Sequence, residues 1–328
     1  MKIALAGLGG AANRGHLPAI SRLTATGRVQ LVAAADPSAE RRLAAQREAP
    51  GLATFSSTAG MLESVESDLL VVATQPSAHS RLAMLGLQHR QHVLIEKPLA
   101  LTSHDLRALR EARVANSEFA LVSVYQYQFS PVWTRILPWL RFANHLGTPF
   151  TLKVKVQRNG TDAKAASRWR VDSRSGGILA DHGLHFLALA WRIGGGLRVV
   201  AGKRRPKPPG RESATALVRV GRSGLLELDL SANASNRRTR IEASALGARL
   251  VWDDAEATLA AAGKEFRHWE AEALSNRAHV DSLYHSIYCH LLDGVDNRRW
   301  RQRRIAETFS VADACVSLLA RTEVEEGS

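Results

Sequence analysis

Cysteine is nearly absent: two residues in 328, Cys289 and Cys315, which lie far from every other feature and have no metal-ligand spacing. Two isolated thiols suit a reducing compartment, so a cytoplasmic protein without a metal site is expected. Long apolar runs are missing too, and none approaches the roughly 20 residues a membrane helix needs. Aromatic residues make up only 6% of the chain, and neither an internal repeat nor a low-complexity tract is visible. What is left is an ordinary globular composition, 45% hydrophobic, long enough for two domains with separate cores.

The start, "MKIALAGLGGAANRG", imitates a secretory leader, but it offers one lysine and a short apolar stretch. It is read instead as a first buried strand running into a glycine turn. The net charge is +13 and uneven: the first 122 residues carry 13 basic and 10 acidic side chains, the remainder 31 and 21. An electropositive second half suits an anionic substrate, a phosphate or nucleic acid. The alternative is compositional bias on a solvated surface, because arginine outnumbers lysine throughout.

The first third alternates apolar runs (Lys2–Ala6, Val29–Ala35, Leu69–Thr74, Val93–Ile95, Phe119–Val124) with amphipathic stretches (Leu17–Thr24, Ala39–Arg47, His79–Gln88, Ser103–Asn116). That alternation predicts βαβ units and a doubly wound parallel sheet. After a helix around Pro131–Asn144, strand-like segments cluster: "TPFTLKVKVQRNG", Arg198–Lys203, Thr215–Val220, Leu225–Ser231, Arg240–Ala245 and Arg249–Trp252. Grouped strands with turns such as "GRSG" predict a mostly antiparallel sheet. A long apolar helix is expected over residues 177–193, two terminal helices over 276–292 and 304–322, and a surface loop at "GKRRPKPPGRE". The expected fold is α/β, with a doubly wound N-terminal domain over 1–124 and an α+β domain over 125–328, whose C-terminal helix packs back on the first.

Three motifs carry chemistry. In "ALAGLGGAANRGHLPAI", Gly7, Gly9 and Gly10 follow the first strand and Ala12 stands where a third motif glycine is common. Small residues there let backbone N–H groups at a helix start meet a pyrophosphate. Asp36 closes the second strand, where a carboxylate accepts from the ribose hydroxyls and repels a 2′-phosphate. Arg41 and Arg42 stand close enough to neutralise such a phosphate, so NAD and NADP both stay open. Second, in "HVLIEKPLA" Lys97 follows the carboxyl end of an apolar strand, the side on which open parallel sheets bind ligands. The plain alternative is a solvated Glu96–Lys97 pair. Third, "SGGILADHGLHFLALAWRIGGG" read as a helix puts Asp181 and His185 on one face of an otherwise apolar cylinder. Ionisable groups there are costly unless paired or facing a cavity. A self-satisfied structural pair is the competing reading.

Together these segments resemble the Gfo/Idh/MocA oxidoreductase family, which includes glucose–fructose oxidoreductase and inositol dehydrogenases. The resemblance covers nearly the whole chain and implies a Rossmann domain followed by a domain with a large open sheet that often builds homo-oligomers. It implies Lys97, Asp181 and His185 as catalytic residues. It extends the dinucleotide contacts from Gly7, Gly9, Gly10, Ala12 and Asp36 to Thr74, Pro76, His79, Glu96 and Lys97. Substrate contacts are expected from Tyr125, Gln126, Arg158, Trp169 and His182, with Arg168 and Arg170 nearby. In one departure, family members often carry an arginine where "VYQYQFSP" has Gln128.

The expected activity is NAD(P)-dependent hydride transfer between nicotinamide and a secondary alcohol or ketone of a sugar, cyclitol or related polyol. Two alternatives accompany it. One is a glycoside-cleaving or eliminating enzyme that oxidises its substrate transiently on the same scaffold. The other is a non-catalytic nucleotide-sensing regulator, which the basic run "DNRRWRQRR" suits, although that run lacks the interleaved aromatics of a nucleic-acid binder. The partner expected is a small-molecule polyol, with neither a membrane nor nucleic acid.

Overall fold

The computed structural model describes residues 1–159, 175–205, 212–254, 256–261, 264–270 and 277–321. The chain divides into two compact units, Met1–Gln126 with Arg277–Phe309, and Tyr127–Asn276 with Ser310–Ser328.

The first unit is built on a six-stranded sheet. Its strands are β1 (Lys2–Ala6), β2 (Gln30–Ala35), β3 (Ala53–Phe55), β4 (Leu69–Val72), β5 (His92–Ile95) and β6 (Leu121–Ser123). They lie in the order β3-β2-β1-β4-β5-β6, every neighbour parallel. Past their first residues the central strands are apolar throughout: Ile3 to Ala6, Leu69 to Val72 and Val93 to Ile95 are fully buried. Burial on both faces is what a parallel sheet covered by helices requires, and it explains why these runs do not alternate.

The covering helices are α1 (Leu17–Ala25), α2 (Ala39–Glu48), α3 (Thr58–Ser64), α4 (Pro76–Gln88) and α5 (Ser103–Ala115). Three start at side-chain caps: Ser38, Ser57 and Thr102 each accept the N–H three residues on. The order reverses at β1, between β2 and β4. That is the switch point beside which ligands enter such sheets.

The second unit starts with α6 (Pro131–Leu146) and β7 (Phe150–Asn159), followed by the buried α7 (Leu184–Gly194). Then come β8 (Leu197–Arg205), β9 (Ser213–Val220), β10 (Gly224–Ala234), β11 (Arg238–Ala245), β12 (Ala248–Asp253), β13 (Glu256–Ala261) and β14 (Lys264–Glu270). They form an eight-stranded sheet in the order β14-β13-β12-β11-β7-β10-β9-β8. Only β7 and β10 run parallel; every other pair is antiparallel.

Strict alternation fixes the register here. Leu152, Val154, Val156, Leu226, Leu228, Leu230, Ile241 and Ala243 all point to the buried face. On the other face charges match across strands, Lys153 with Glu227 (3.4 Å), Lys155 with Asp229 (3.8 Å) and Arg240 with Asp253 (2.8 Å), while Arg240 also meets Glu242 of its own strand (2.9 Å). Three cations of this face, Lys153, Lys155 and Arg240, are thus partnered within the sheet.

Two helices close the chain, α8 (Arg277–Gly294) in the first unit and α9 (Arg298–Leu319), within which the assignment passes from the first unit to the second. No described helix is long and apolar enough to cross a membrane.

The structure departs from the sequence expectations in several places. β3 and α3 were not expected, being a three-residue edge strand and a short, weakly amphipathic helix. β13 and β14 were missed because the first, "EATLAA", is short and alanine-rich, and charges break the alternation of the second, "KEFRHWE". β8 continues to Arg205, so the "GKRR" expected in a loop is strand; residues 206–211 lie outside the described residues. α9 starts at Arg298, capped by Asn297, whose side chain accepts the Trp300 N–H, so the basic run is helical.

Candidate active site

The glycine turn follows from the packing of β1 against its neighbours. Gly7 has φ +95°, and a Cβ there would stand 2.6 Å from the carbonyl oxygen of Ala73, a backbone atom that cannot yield. Its N–H donates to Ala35 O (2.7 Å), tying the turn to the end of β2. At Gly9 a Cβ would meet nothing nearer than Arg41 Nη1 at 3.8 Å, so the backbone is open to a close approach. Asp36, 4% exposed, locks the arrangement: its Oδ2 accepts the Leu8 N–H and its Oδ1 the Ser38 N–H, both at 2.9 Å. A carboxylate has about four lone-pair sites, and with Arg41 Nη1 also on Oδ2 at 3.5 Å one stays available for a ribose hydroxyl. Ala12 opens a π-helical turn, Ala12–His16, that leads into α1. An uncluttered glycine backbone next to a fixed carboxylate fits a dinucleotide. Gly7→Ala is expected to weaken NADH binding by about tenfold or more, measured by fluorescence titration, since the turn must rearrange to hold the methyl.

Lys97 leaves the carboxyl end of β5 on a loop fixed by buried neighbours; the Lys97–Pro98 peptide is cis. His79, on α4, is buried with Nδ1 2.7 Å from Pro98 O and Nε2 3.1 Å from Thr74 O. Burial pushes its pKa down. The neutral ring has one N–H, so His79 donates to one of these carbonyls and stands beside the other, between the loop after β4 and the loop after β5. Pro76 is buried in the first turn of α4, and Thr74 lies in the connection before it.

Glu96 is 6% exposed. It accepts the O–H of Tyr284 on one oxygen and, at 3.3 Å, the Lys97 N–H on the other. His16 Nε2 stands 3.3 Å from Glu96 Oε1, at ion-pair distance but outside hydrogen-bond geometry, while its Nδ1 meets the Tyr288 hydroxyl at 2.8 Å. Burial pushes the Glu96 carboxyl up, but His16, Lys97 and the Tyr284 O–H outweigh it and leave its pKa at about 2. Burial and the Glu96 charge hold the Tyr284 phenol well above its usual range, so it remains a donor. This cluster joins the π turn, the lysine loop and α8.

Tyr284, Tyr288 and His16 were absent from the sequence reading. Their signal was two tyrosines four apart on one helix, since buried phenols need partners. Gly15 was a second clue, because a Cβ there would fall 2.6 Å from the Tyr284 ring.

In the second unit Gly176 and Gly177 have φ of +86° and +54°. A Cβ on Gly177 would overlap the Glu212 carboxylate, which accepts the Ile178 N–H and lies 3.4 Å from Arg204 Nη2. Gly177 thus makes room for a carboxyl cap on the helix that follows. That helix is not uniform: Leu179–Gly183 form a π-helical turn before α7. π turns recur at functional sites.

Asp181 sits in this turn with its Oδ2 3.6 Å from the Nε2 of His182, the residue expected as a substrate contact. His185, 3% exposed, stacks on Tyr127 with centroids 4.2 Å apart and rings tilted by 30°. Burial pushes the Tyr127 phenol up; Arg158 draws it down, and Asp181 adds to the rise. Arg158 itself is buried and donates to Gln157 O (2.7 Å), Arg238 O (3.1 Å) and Thr239 Oγ1 (3.0 Å), which fixes the guanidinium to β11.

Tyr127 was missed although its neighbours were named. Tyr125 is buried after β6, and Gln126 opens the short 3₁₀ turn Gln126–Phe129 that contains Tyr127. Gln128 is buried in the same turn. Arg168, Trp169 and Arg170 lie outside the described residues.

Comparison with known proteins gives the following. Residues 1–125 match the oxidoreductase family with an NAD-binding Rossmann fold (Gfo/Idh/MocA), and residues 143–248 match that family's C-terminal alpha/beta domain. Among curated proteins, the glucose-6-phosphate 3-dehydrogenase of Bacillus subtilis (strain 168) is 26% identical over 195 residues, 58% of this chain and 53% of that protein. The chain thus spans about half the length of the curated relatives it matches, 53% and 44%. Among solved structures, a dehydrogenase from Chromobacterium violaceum has a TM-score of 0.79 at 18% identity, covering 98% of this chain and 95% of that one. An oxidoreductase from Agrobacterium radiobacter, in complex with NAD+, L-tartaric acid and magnesium, has a TM-score of 0.78 at 17% identity, covering 98% and 96%. At these identities the structural matches establish the fold.

Proposed function

The chain belongs to the Gfo/Idh/MocA oxidoreductase family, and on that premise we propose that it is an NAD(P)-dependent dehydrogenase or reductase. It acts on a secondary alcohol or ketone of a sugar, cyclitol or related polyol derivative. The observation that carries this reading is the lysine loop: Lys97 stands at the carboxyl end of β5, in a loop held by the buried Glu96 and His79. A cation fixed there suits a reacting oxygen.

Residues Gly7 to Gly10 hold the pyrophosphate and Asp36 a ribose hydroxyl. When bound, the dinucleotide exchanges a hydride with the substrate carbon at its nicotinamide ring. Lys97 donates hydrogen bonds to the substrate oxygen and stabilises the negative charge that develops on it. The His185 imidazole removes the hydroxyl proton on a ring nitrogen during oxidation and returns it during reduction. Asp181 stabilises the charged imidazole. Stacking on Tyr127 limits rotation of the His185 ring, which supports a directed proton transfer. The name of the Bacillus relative supports a sugar, and a phosphorylated one suits the basic second segment.

The test is a screen of sugars, cyclitols and their phosphates with NAD+ and NADP+, and of the matching ketones with the reduced forms, read at the nicotinamide band. One substrate pair is expected to turn over, and His185→Ala to lower its kcat by about 10²–10⁴-fold. Product formation by bond cleavage with no net change in NADH would replace this reading with the transient-oxidation one.

A further inference from the structure

The two oxygens of Glu96 face different partners. Oε1 accepts the Tyr284 O–H and stands 3.3 Å from His16 Nε2, while Oε2 accepts the Lys97 N–H, also at 3.3 Å. The last bond of a glutamate turns easily. A carboxylate held by one backbone N–H alone would therefore not keep that N–H in one place. The phenol removes this freedom, because it engages one oxygen and leaves the other to the lysine.

Tyr284 can do so because it is itself immobilised. It is buried on α8, and a Cβ on Gly15 would lie 2.6 Å from its ring, so the phenol packs directly on the π turn. The His16 imidazole meets the same ring edge to face, with centroids 5.0 Å apart at 83°. His16 is fixed in turn by the Tyr288 hydroxyl, 2.8 Å from its Nδ1. A phenol donating to a charged acceptor in such a dry site makes a strong, directional bond.

We propose that Tyr284 is a positioning residue for hydride transfer: acting through Glu96, it fixes the backbone from which Lys97 meets the substrate oxygen. The inference rests on the catalytic reading of Lys97 above and extends that reading to α8.

The wild type, Tyr284→Phe, Lys97→Ala and the double variant are compared on the substrate pair found by screening. Tyr284→Phe keeps the ring against Gly15 and loses only the O–H. Its kcat should fall by about 10–10²-fold, the cost of slightly misplacing a reacting group, with the NADH dissociation constant within about threefold. In the Lys97→Ala background the same substitution should change kcat by less than about twofold, because the ammonium it positions is gone. A tyrosine with a purely structural role would lower kcat by the same factor in both backgrounds. Hydrogen exchange reads the same relay without a substrate: Tyr284→Phe should speed exchange over residues 92–100 by about tenfold and leave β1 and β2 unchanged. Should Tyr284→Phe fail to fold, Glu96→Gln breaks the relay at its next link, since one amide oxygen cannot serve both donors, and the same pattern is expected of it.

Wild-type kcat in Tyr284→Phe, equal factors in the two backgrounds, or unchanged exchange over residues 92–100 would each overturn the role of Tyr284 and leave that of Lys97 standing. Wild-type kcat in Lys97→Ala would instead reject the catalytic reading, and this inference with it.

Discussion

Lys97→Ala is expected to lower kcat on the substrate found by screening by about 10²–10⁴-fold while leaving the NADH dissociation constant within about threefold. The two quantities separate because different groups control them. In the proposed reading dinucleotide binding rests on Gly7, Leu8 and Asp36, whose hydrogen bonds involve β1, β2 and the start of α2. The fixed shape of the loop rests on Glu96 and on the Pro98 carbonyl that faces His79. Removing the ammonium therefore takes away a donor without releasing the backbone that carries it.

Lys97→Arg should recover little, since a planar fork on a stem of different length cannot replace a compact charge. If Lys97 and His185 serve one chemical step, the double variant with His185→Ala will lose less than the product of the two single losses. A Lys97→Ala enzyme with wild-type turnover would reject the role, and strictly multiplicative losses would assign the two residues to separate steps.

Much of the frame was legible because its physics is local. Continuous apolar runs such as "IALA" and "LLVV", bounded by turn residues, read as strands buried on both faces, and the alternation of "TLKVKV" reads as a strand with one wet face. Asp36 and the glycines were legible for a related reason, since a turn with positive φ and a carboxylate after β2 are sequence-local demands. What could not be read depends on distant pairs. The return of residues 277–309 to the first unit brings Tyr284 to Glu96, 188 residues apart in the chain, and no periodicity announces such a contact.

The π turn at Leu179–Gly183 was equally hidden. Helical spacing assumes 3.6 residues per turn, so a wider turn shifts which side chains share a face, and the carboxylate of Asp181 comes within reach of His182. The Glu212 cap lies beyond β8, so nothing near Gly177 in the chain announced that a carboxylate fills the space where its Cβ would be.

Glu96→Ala should destabilise the first unit by about 3–5 kcal/mol, the range for removing one partner from a buried charged cluster. Tyr284 would keep a buried O–H without its acceptor, His16 would lose its neighbouring charge, and a cavity would replace the side chain. Glu96→Gln retains the shape and an acceptor for Tyr284 and should cost less, which separates charge from packing.

The pH dependence follows from the same cluster. The carboxyl has a folded pKa of about 2, below its ordinary value of 4.5, so the unfolded chain takes up the proton first. The stabilisation is fully present above roughly pH 5 and is lost as pH falls through the folded pKa, with a total of about 3 kcal/mol for this one group. Denaturant unfolding at a series of pH values from neutral to acid, followed by the burial-sensitive signal of the tyrosines, should show a steeper acid loss in the wild type than in Glu96→Gln. Parallel acid limbs in the two proteins would mean that Glu96 is not held as a buried anion, and its hold on the lysine loop would have to come from packing alone.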